Sequence, residues 1–305
     1  MPSTEPTLFD KPALSLADQV RQLISKGMQI NDPAAAENVL TNVSYYRLSA
    51  YWVPFLQLNV SGQRCNTLRP GTSFEEVLAL YEFDRQLRLL VLDALEHVEV
   101  ALRSAMTYHV VTAYGAFGHE NPANFHPAFD HASWITKLHD ETNRSSDTFV
   151  IHYKNSHQGF PAMPLWMSTE LISLGSLSKL YSGMKPTDKR TIATPLNLHH
   201  KRLQNWLHVL TYVRNVCAHH SRLWNRELSI RASVMSESEW RPPLLPRLDR
   251  LFYVLLILRL LLRKTDRGTW WRDQCQTLLQ PVAETPKWRT AMGMGVDWQN
   301  HPLWI

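Results

Sequence analysis

The chain has 305 residues, 44% hydrophobic and 10% aromatic, so it can bury a large core and is not intrinsically disordered. Its net charge of +5 is modest, but 22 arginines outnumber 10 lysines. This ratio favours a phosphate-bearing partner, because Arg binds phosphate through two parallel hydrogen bonds. The three cysteines lie far apart, which excludes a disulfide framework and a zinc ribbon and is typical of a reducing compartment.

Two segments bear on localisation. Residues 1–6 contain neither the basic nor the apolar stretch that a signal peptide requires. The most apolar run, 251–262, is too short to cross a membrane and contains Arg259. We therefore expect a soluble cytoplasmic protein without membrane contact, in which this run forms a buried helix.

The amino-terminal segment predicts three helices and a loop. Gly27 closes the first apolar-periodic stretch, and Asp32 followed by Pro33 is the N-cap and N1 signature of the second. A third, aromatic-rich stretch ends near Pro54. The helices are predicted over residues 14–24, 34–43 and 45–56, and the loop over 59–71.

The longest predicted helix runs from residue 73 to about residue 112 and begins with a Ser-x-x-Glu capping box. On this helix Glu96, Glu99 and Arg103 form one polar stripe among aliphatic residues. The simplest interpretation is a buried ion-pair network, since a buried charge must be paired. The alternative is that the stripe flanks a functional groove.

The rest of the chain is also predicted to be helical. The region 114–164 is predicted to be irregular, with one helix at 132–143. The Trp-rich tail from Pro281 is expected to wrap over the bundle. Its tryptophans are expected to belong to the core or to a lid rather than to stack on bases. Further helices are predicted over 165–184, 188–193, 198–219, 244–264 and 271–280. No stretch alternates with a period of two for more than a few residues, so the fold class is all-α.

Three regions are expected, packed as one compact unit. They are an N-terminal helical extension over 1–70, a helical core over 71–235, and C-terminal helices with the Trp-rich tail over 236–305.

The usual enzyme signatures are absent from the sequence. It has no Gly-rich nucleotide loop, no HExxH, no GxSxG and no calcium loop. The loop histidines His119, His126, His131 and His139 could hold a structural metal, but ordinary polar loop residues are the simpler interpretation. We therefore expect no metal and no other cofactor.

One short segment contains Arg214, Asn215 and His219 near the end of a predicted apolar helix. Arg followed by His at this spacing occurs about as often as chance predicts, so the spacing alone carries little information. Asn215 and His219 share a helical face, whereas Arg214 and His219 are about 140° apart on an ideal helix. This favours a groove between two helices or two subunits over an isolated helical face.

Several other blocks occur in order around this segment. They are Tyr45-Tyr46-Arg47-Leu48-Ser49, Tyr81-x-Phe83-Asp84-Arg85-x-Leu87-Arg88, Glu96-x-x-Glu99-x-x-x-Arg103, Leu165-Trp166-x-x-x-Glu170 with Ser173-Leu174-Gly175, Trp206 to Asn225, and His301-Pro302-Leu303-Trp304. Together they cover nearly the whole chain. With these blocks the sequence resembles the Abi-like abortive-infection proteins of the AbiD/AbiF type, which are placed in the HEPN superfamily.

The resemblance implies a HEPN-type helical bundle with extra N- and C-terminal helices. In that superfamily an R-x4–6-H motif often carries metal-independent ribonuclease activity. Matched to this sequence, Arg214 and His219 form the motif and Asn215 is the polar residue that follows the arginine. Arg103 and His109, with Glu99 beside them, have a permitted spacing for a second or degenerate motif. Residues Arg47, His220 and Arg222 are further candidates for RNA contact.

The implied function is antiphage abortive infection through RNA cleavage, with the RNA 2′-OH as nucleophile and a 2′,3′-cyclic phosphate as product. Two facing motifs in a homodimer would supply two histidines for the two proton transfers. An alternative is a non-catalytic RNA-binding protein of a defence or toxin–antitoxin-like system, held by a structured small RNA. A third is a helical protein-binding scaffold. In a purely structural role, His219 at the C-terminal end of its helix would interact favourably with the helix dipole.

Overall fold

The computed structural model describes residue 8 and residues 12–233, 237–241, 244–263 and 267–305. Within these residues the chain forms thirteen α-helices, several short 3-10 turns and one two-stranded sheet, which confirms the all-α prediction. The chain divides into two compact units, one ending at Arg85 and one beginning at Gln86. The boundary lies inside the longest helix.

The first unit begins with short helices whose ends follow the sequence signals. The Asp32 side chain accepts a hydrogen bond of 3.0 Å from the Ala35 N–H, which caps the helix that starts at Pro33. Gly27 has a φ of +90°, the left-handed conformation that ends the preceding helix. The helices are α1 (Leu16–Ser25), α2 (Pro33–Asn42) and α3 (Tyr45–Trp52), and a 3-10 turn over Val53–Phe55 follows.

The predicted loop after α3 is wrong in part, because it contains a β-hairpin. Strand β1 (Leu56–Leu58) pairs antiparallel with β2 (Arg64–Leu68). The Asn59 side chain builds the turn by accepting hydrogen bonds from two backbone N–H groups, one of them that of Gln63 at 2.9 Å. In β2 only Leu68 is buried, so the strand has too little apolar alternation to be recognised in the sequence.

The capping box at the start of the longest helix is confirmed. The Ser73 hydroxyl accepts from the Glu76 N–H at 3.0 Å, and the Ser73 N–H donates to the Glu76 carboxylate at 3.2 Å. This helix, α4 (Phe74–Tyr114), is the longest in the described chain.

The second unit contains the rest of α4 and nine further helices in its described residues. They are α5 (His131–Arg144), α6 (Thr148–Ser156), α7 (Leu165–Ser168), α8 (Leu174–Gly183), α9 (Pro186–Ala193), α10 (His200–Ala218), α11 (Leu251–Leu262), α12 (Arg267–Ala283) and α13 (Pro286–Ala291). Helix α11 is the predicted buried helix: eleven of its residues are buried. No helix in the described residues is long and apolar enough to cross a membrane.

Three helix predictions need correction. Helix α6 lies in the region predicted to be irregular, because its polar and aromatic residues give no clear apolar period. The helix predicted over 165–184 is interrupted after the 3-10 turn Thr169–Leu171, where Ser173 is extended and caps α8 instead. Helix α11 begins at Leu251 rather than residue 244, since Arg250 is extended and Pro246 disfavours helix before it. Its predicted end, Lys264, lies outside the described residues.

The Trp-rich tail contributes to the core. Trp298 and Trp304 are buried and pack on Phe252 of α11, with ring centroids 6.0 and 5.7 Å away. The buried Arg259 guanidinium donates to the carbonyl oxygen of Ile305 at 3.3 Å. Burial lowers the pKa of Arg259, and these carbonyl contacts satisfy its donors.

Candidate functional site

Helix α10 carries Arg214 and Asn215, and one side of it is buried. Leu203, Leu207 and Leu210 lie on that side with Val213, each at most 1% exposed. Deleting one such side chain typically costs about 2–5 kcal/mol, so the helix is firmly held in the second unit. Because the apolar side fixes the rotation of α10, its polar side must face outward.

The end of α10 is a Schellman motif. The Ser221 N–H bonds the Val216 carbonyl and the His220 N–H bonds the Cys217 carbonyl, both at 2.9 Å. His220 therefore has a φ of +55°, a conformation usually taken by glycine. His219 is the C-cap, and its side chain is exposed.

Arg214 lines a cavity of about 400 Å³ together with the polar stripe of α4. We call this the carboxylate cavity, lined by Leu92, Leu95, Glu96, Glu99, Val100, Arg103, Glu170 and Arg214. Three carboxylates and two guanidinium groups therefore meet in one space. The structure thus brings the stripe predicted on α4 together with the arginine of the motif on α10.

The Arg214 side chain is half-buried. It makes no hydrogen bond or ion pair with any residue in the described part of the chain, although Glu96 and Glu170 line the same cavity. A half-buried cation with free donors is suited to binding an anionic group from outside the chain.

Arg103, in contrast, has partners within the chain. Its guanidinium binds the Glu99 carboxylate at 2.6 Å and donates to the backbone carbonyl oxygens of Thr169 and Ile172. The Ile172 carbonyl lies in the break before α8, and the Thr169 carbonyl, in the 3-10 turn, also accepts from the Ile172 N–H at 3.4 Å. Arg103 thus ties α4 to that break.

His109 lies in a different place from Arg103. Its Nε2 is 3.0 Å from Asp188, which also accepts a hydrogen bond from the Tyr114 hydroxyl at 2.9 Å. Burial raises the pKa of Tyr114, and donation to Asp188 raises it further. His109 lines a mostly apolar pocket against α9, which Arg103 does not line, so the two residues predicted as a second motif are not brought together.

A larger groove shares the lining residue Arg214 with the carboxylate cavity. It has a volume of about 1200 Å³, and Arg214 lines both spaces. We call it the basic groove. Its ionisable lining residues are Lys137, Lys179, Lys189, Lys201, Arg214, His126, His200 and His208, and none of its described lining residues is acidic. Asn215 lines the groove, whereas His219 lines neither of these two spaces.

Tyr181 holds the helices that form the basic groove. Its buried hydroxyl donates to the carbonyl oxygens of Lys189 at 3.0 Å and His200 at 3.3 Å. Burial raises the pKa of Tyr181, which keeps the phenol neutral as a donor. The Lys189 ammonium is buried and donates to Gln204 at 3.0 Å, and its pKa is lowered by burial and by the nearby charge of Lys201.

The sequence did not predict the basic groove. Its lysines lie on α5, α8, α9 and α10, so no sequence window contains them together. The excess of arginine over lysine pointed to a phosphate partner, but most of the fixed cations in the groove are lysines. Glu170, which lines the carboxylate cavity, was recognised only as part of a sequence block.

The remaining candidates are separate from these cavities. Arg47 is exposed on α3 in the first unit, and Arg222 is half-buried in the segment after α10. Among the loop histidines, His139 lies 3.0 Å from Glu120 and His131 lies 2.7 Å from the His119 carbonyl oxygen. In the described residues, no group of three or more His, Cys, Asp or Glu is placed to hold a metal ion.

The sequence model of one protein family, described as Abi-like protein, matches residues 38–225, which is more than half of the chain. The chain belongs to the family of Abi-like proteins. The match spans α4 to α10 and includes every residue of the carboxylate cavity. Family membership associates the chain with abortive-infection defence. Searches of curated proteins and of solved structures found no match.

Proposed function

We propose that this Abi-like protein is a metal-independent endoribonuclease of the HEPN type that acts in abortive infection. The observation that carries the proposal is the half-buried Arg214 guanidinium, which has no partner among the described residues and lines both the carboxylate cavity and the basic groove. Asn215 is the next residue, and the exposed His219 is the C-cap of the same helix, five residues after Arg214.

The chemistry needs few protein groups because RNA supplies the nucleophile. The 2′-OH attacks the adjacent phosphorus, the P–O5′ bond breaks, and the products are a 2′,3′-cyclic phosphate and a 5′-OH. Arg214 holds two phosphate oxygens and stabilises the charge that develops on them. His219 moves the proton, since an imidazole can give and take protons near neutral pH. Glu96 and Glu170 line the same cavity and contribute negative charge near the guanidinium.

A second copy of the chain completes the proposed site. One histidine seldom serves both as the base for the 2′-OH and as the acid for the leaving oxygen. Asn215 and His219 are both exposed on a single chain, so two copies can meet there around a two-fold axis. The composite site then has two Arg214 and two His219 side chains, one histidine for each proton transfer.

The test is cleavage of 5′-labelled RNA in excess EDTA, with analysis of the product ends. We expect wild-type protein to give 2′,3′-cyclic phosphate ends, and Arg214→Ala and His219→Ala each to lose cleavage. His152→Ala, a change at an exposed histidine on α6, should cleave like wild type. Activity that vanishes with chelator, or that persists in His219→Ala, contradicts the proposal.

The second candidate is a non-catalytic RNA-binding protein of a defence or toxin–antitoxin-like system. It is favoured by the position of His219, which lines neither cavity that Arg214 lines. Both candidates predict RNA binding that weakens with salt, so binding does not separate them. Wild-type protein that binds RNA tightly and leaves it intact, as a dimer and over long incubation, would establish this second function.

A further inference from the structure

We propose that the basic groove binds the sugar–phosphate backbone of single-stranded RNA and leads the strand to Arg214. The inference rests on the proposed function for the reaction at the end of the groove. It assigns the binding of the substrate strand to residues outside the Arg214–His219 motif, on α5, α8 and α10.

The first support is uncompensated charge. Lys137, Lys179 and Lys201 are exposed, and none of them forms an ion pair with a residue in the described ranges. With no carboxylate in the described lining, their fields add in a concave space, where the protein walls concentrate the potential. Such a surface attracts a chain of negative charges.

The second support is the direction of three helices. Residues from the first turns or caps of α8, α9 and α10 line the groove, namely Ser173, Pro186 and Lys201. Each helix N-terminus contributes a partial positive charge, which favours phosphate. The helix ends thus add to the charge of the lysines.

The shape of the lining favours a nucleic-acid strand over an acidic protein. Along α10, Lys201, His208 and Arg214 face the groove in succession over about 20 Å, at 1.5 Å per residue. A protein partner would need apolar anchor pockets. Phe129 is the one aromatic residue among the described lining residues, and its ring is packed so tightly on Gly183 that a Cβ there would lie 2.5 Å away.

The test measures binding without cleavage. A fluorescent 2′-O-methyl RNA 12-mer cannot react through its 2′-oxygen, so its anisotropy reports affinity whether or not the protein is a nuclease. We expect the triple variant Lys137→Gln/Lys179→Gln/Lys201→Gln to bind at least tenfold more weakly. The slope of log K against log salt should also fall by about 2, since each lost phosphate contact removes about 0.7.

The control is Lys154→Gln, an equal charge change per site at an exposed lysine on α6 outside the groove, which should leave affinity and slope unchanged. Because the three groove lysines form no ion pair with any described residue, the triple variant should keep the wild-type circular dichroism and melting temperature. An unchanged affinity and slope in the folded triple variant overturns the inference. Displacement of the RNA by poly-glutamate at an equal charge concentration also overturns it, in favour of an acidic protein.

The two proposals can fail separately. If RNA is cleaved but the triple variant binds like wild type, the groove assignment is wrong and the nuclease remains. If binding depends on the three lysines but no RNA is cleaved, the groove assignment holds and the nuclease is wrong.

Discussion

The Arg103 guanidinium binds the Glu99 carboxylate at 2.6 Å, one helical turn away on α4, and both side chains are at most one-fifth exposed. The same guanidinium bonds the carbonyl oxygens of Thr169 and Ile172, where the chain breaks between α7 and α8. One side chain therefore lines the carboxylate cavity and also binds the backbone at the break between α7 and α8.

Replacing Arg103 by Met should lower the free energy of unfolding by about 2–4 kcal/mol. The substitution leaves the Ile172 carbonyl and the Glu99 carboxylate without the guanidinium and removes one of the two donors to the Thr169 carbonyl. Urea denaturation followed by circular dichroism measures the change. Arg144→Met, at an exposed i,i+3 pair with Glu141 on α5, should cost less than about 0.5 kcal/mol. Equal losses in the two variants would contradict this account of Arg103.

Arg214→Lys should separate activity from stability. Lys keeps the charge but cannot make two parallel hydrogen bonds to phosphate, so we expect RNA cleavage to fall by about 100-fold. Because Arg214 has no partner among the described residues, the free energy of unfolding should change by less than about 0.5 kcal/mol. Single-turnover cleavage and urea denaturation measure the two quantities. Arg144→Lys, the matched control, should change neither; a full cleavage rate in Arg214→Lys would exclude bidentate phosphate binding.

Tyr181 predicts a pH dependence of stability. Burial raises its pKa above the ordinary value of 10, so at higher pH the unfolded chain ionises while the folded chain keeps the neutral phenol. The contribution of Tyr181 is therefore complete below pH 10 and is lost as the pH rises through the interval up to the folded pKa.

Tyr181→Phe should thus cost about 1 kcal/mol at neutral pH, because the hydroxyl proton shared between two carbonyl oxygens is lost, yet lose less stability than wild type above pH 10. Urea denaturation at a series of pH values gives both numbers. Tyr46→Phe, at an exposed tyrosine, should follow the wild-type curve. Parallel curves for wild type and Tyr181→Phe would show that the phenol is not held neutral.

The left-handed backbone at His220 predicts that glycine is more stable than alanine at this position, the reverse of the usual order in a helix. At its φ of +55° a Cβ is unfavourable, so His220→Gly should be more stable than His220→Ala by about 1 kcal/mol. Both variants lack the imidazole, so the comparison isolates the backbone. The adjacent His219, with a φ of −86°, gives the control pair, in which glycine should bring no gain over alanine. Equal melting temperatures for the His220 pair would contradict the left-handed assignment.

Local signals in the sequence predicted much of the helical structure. Two of these signals, the Asp32 cap and the Ser73–Glu76 capping box, are contacts within one helical turn. The third is the apolar run of α11, whose buried residues follow one another in the sequence. A short sequence window contains each of them. The β-hairpin and α6 were missed, because their residues are polar or aromatic without a clear period. The chain is interrupted before α8 at Ser173, which is extended and caps α8, and the Arg103 guanidinium that bonds this break lies about seventy residues away in the chain.

By itself the sequence determined the all-α class, the helix caps and the family, because helix signals are local and the family blocks can be read in order along the chain. Only the tertiary structure decided which charges meet. It placed the α4 stripe beside Arg214, separated His109 from Arg103, and gathered lysines of four helices into one groove. The reason is geometric: packing of the apolar faces sets the rotation of each helix, and that rotation determines where its polar side chains lie.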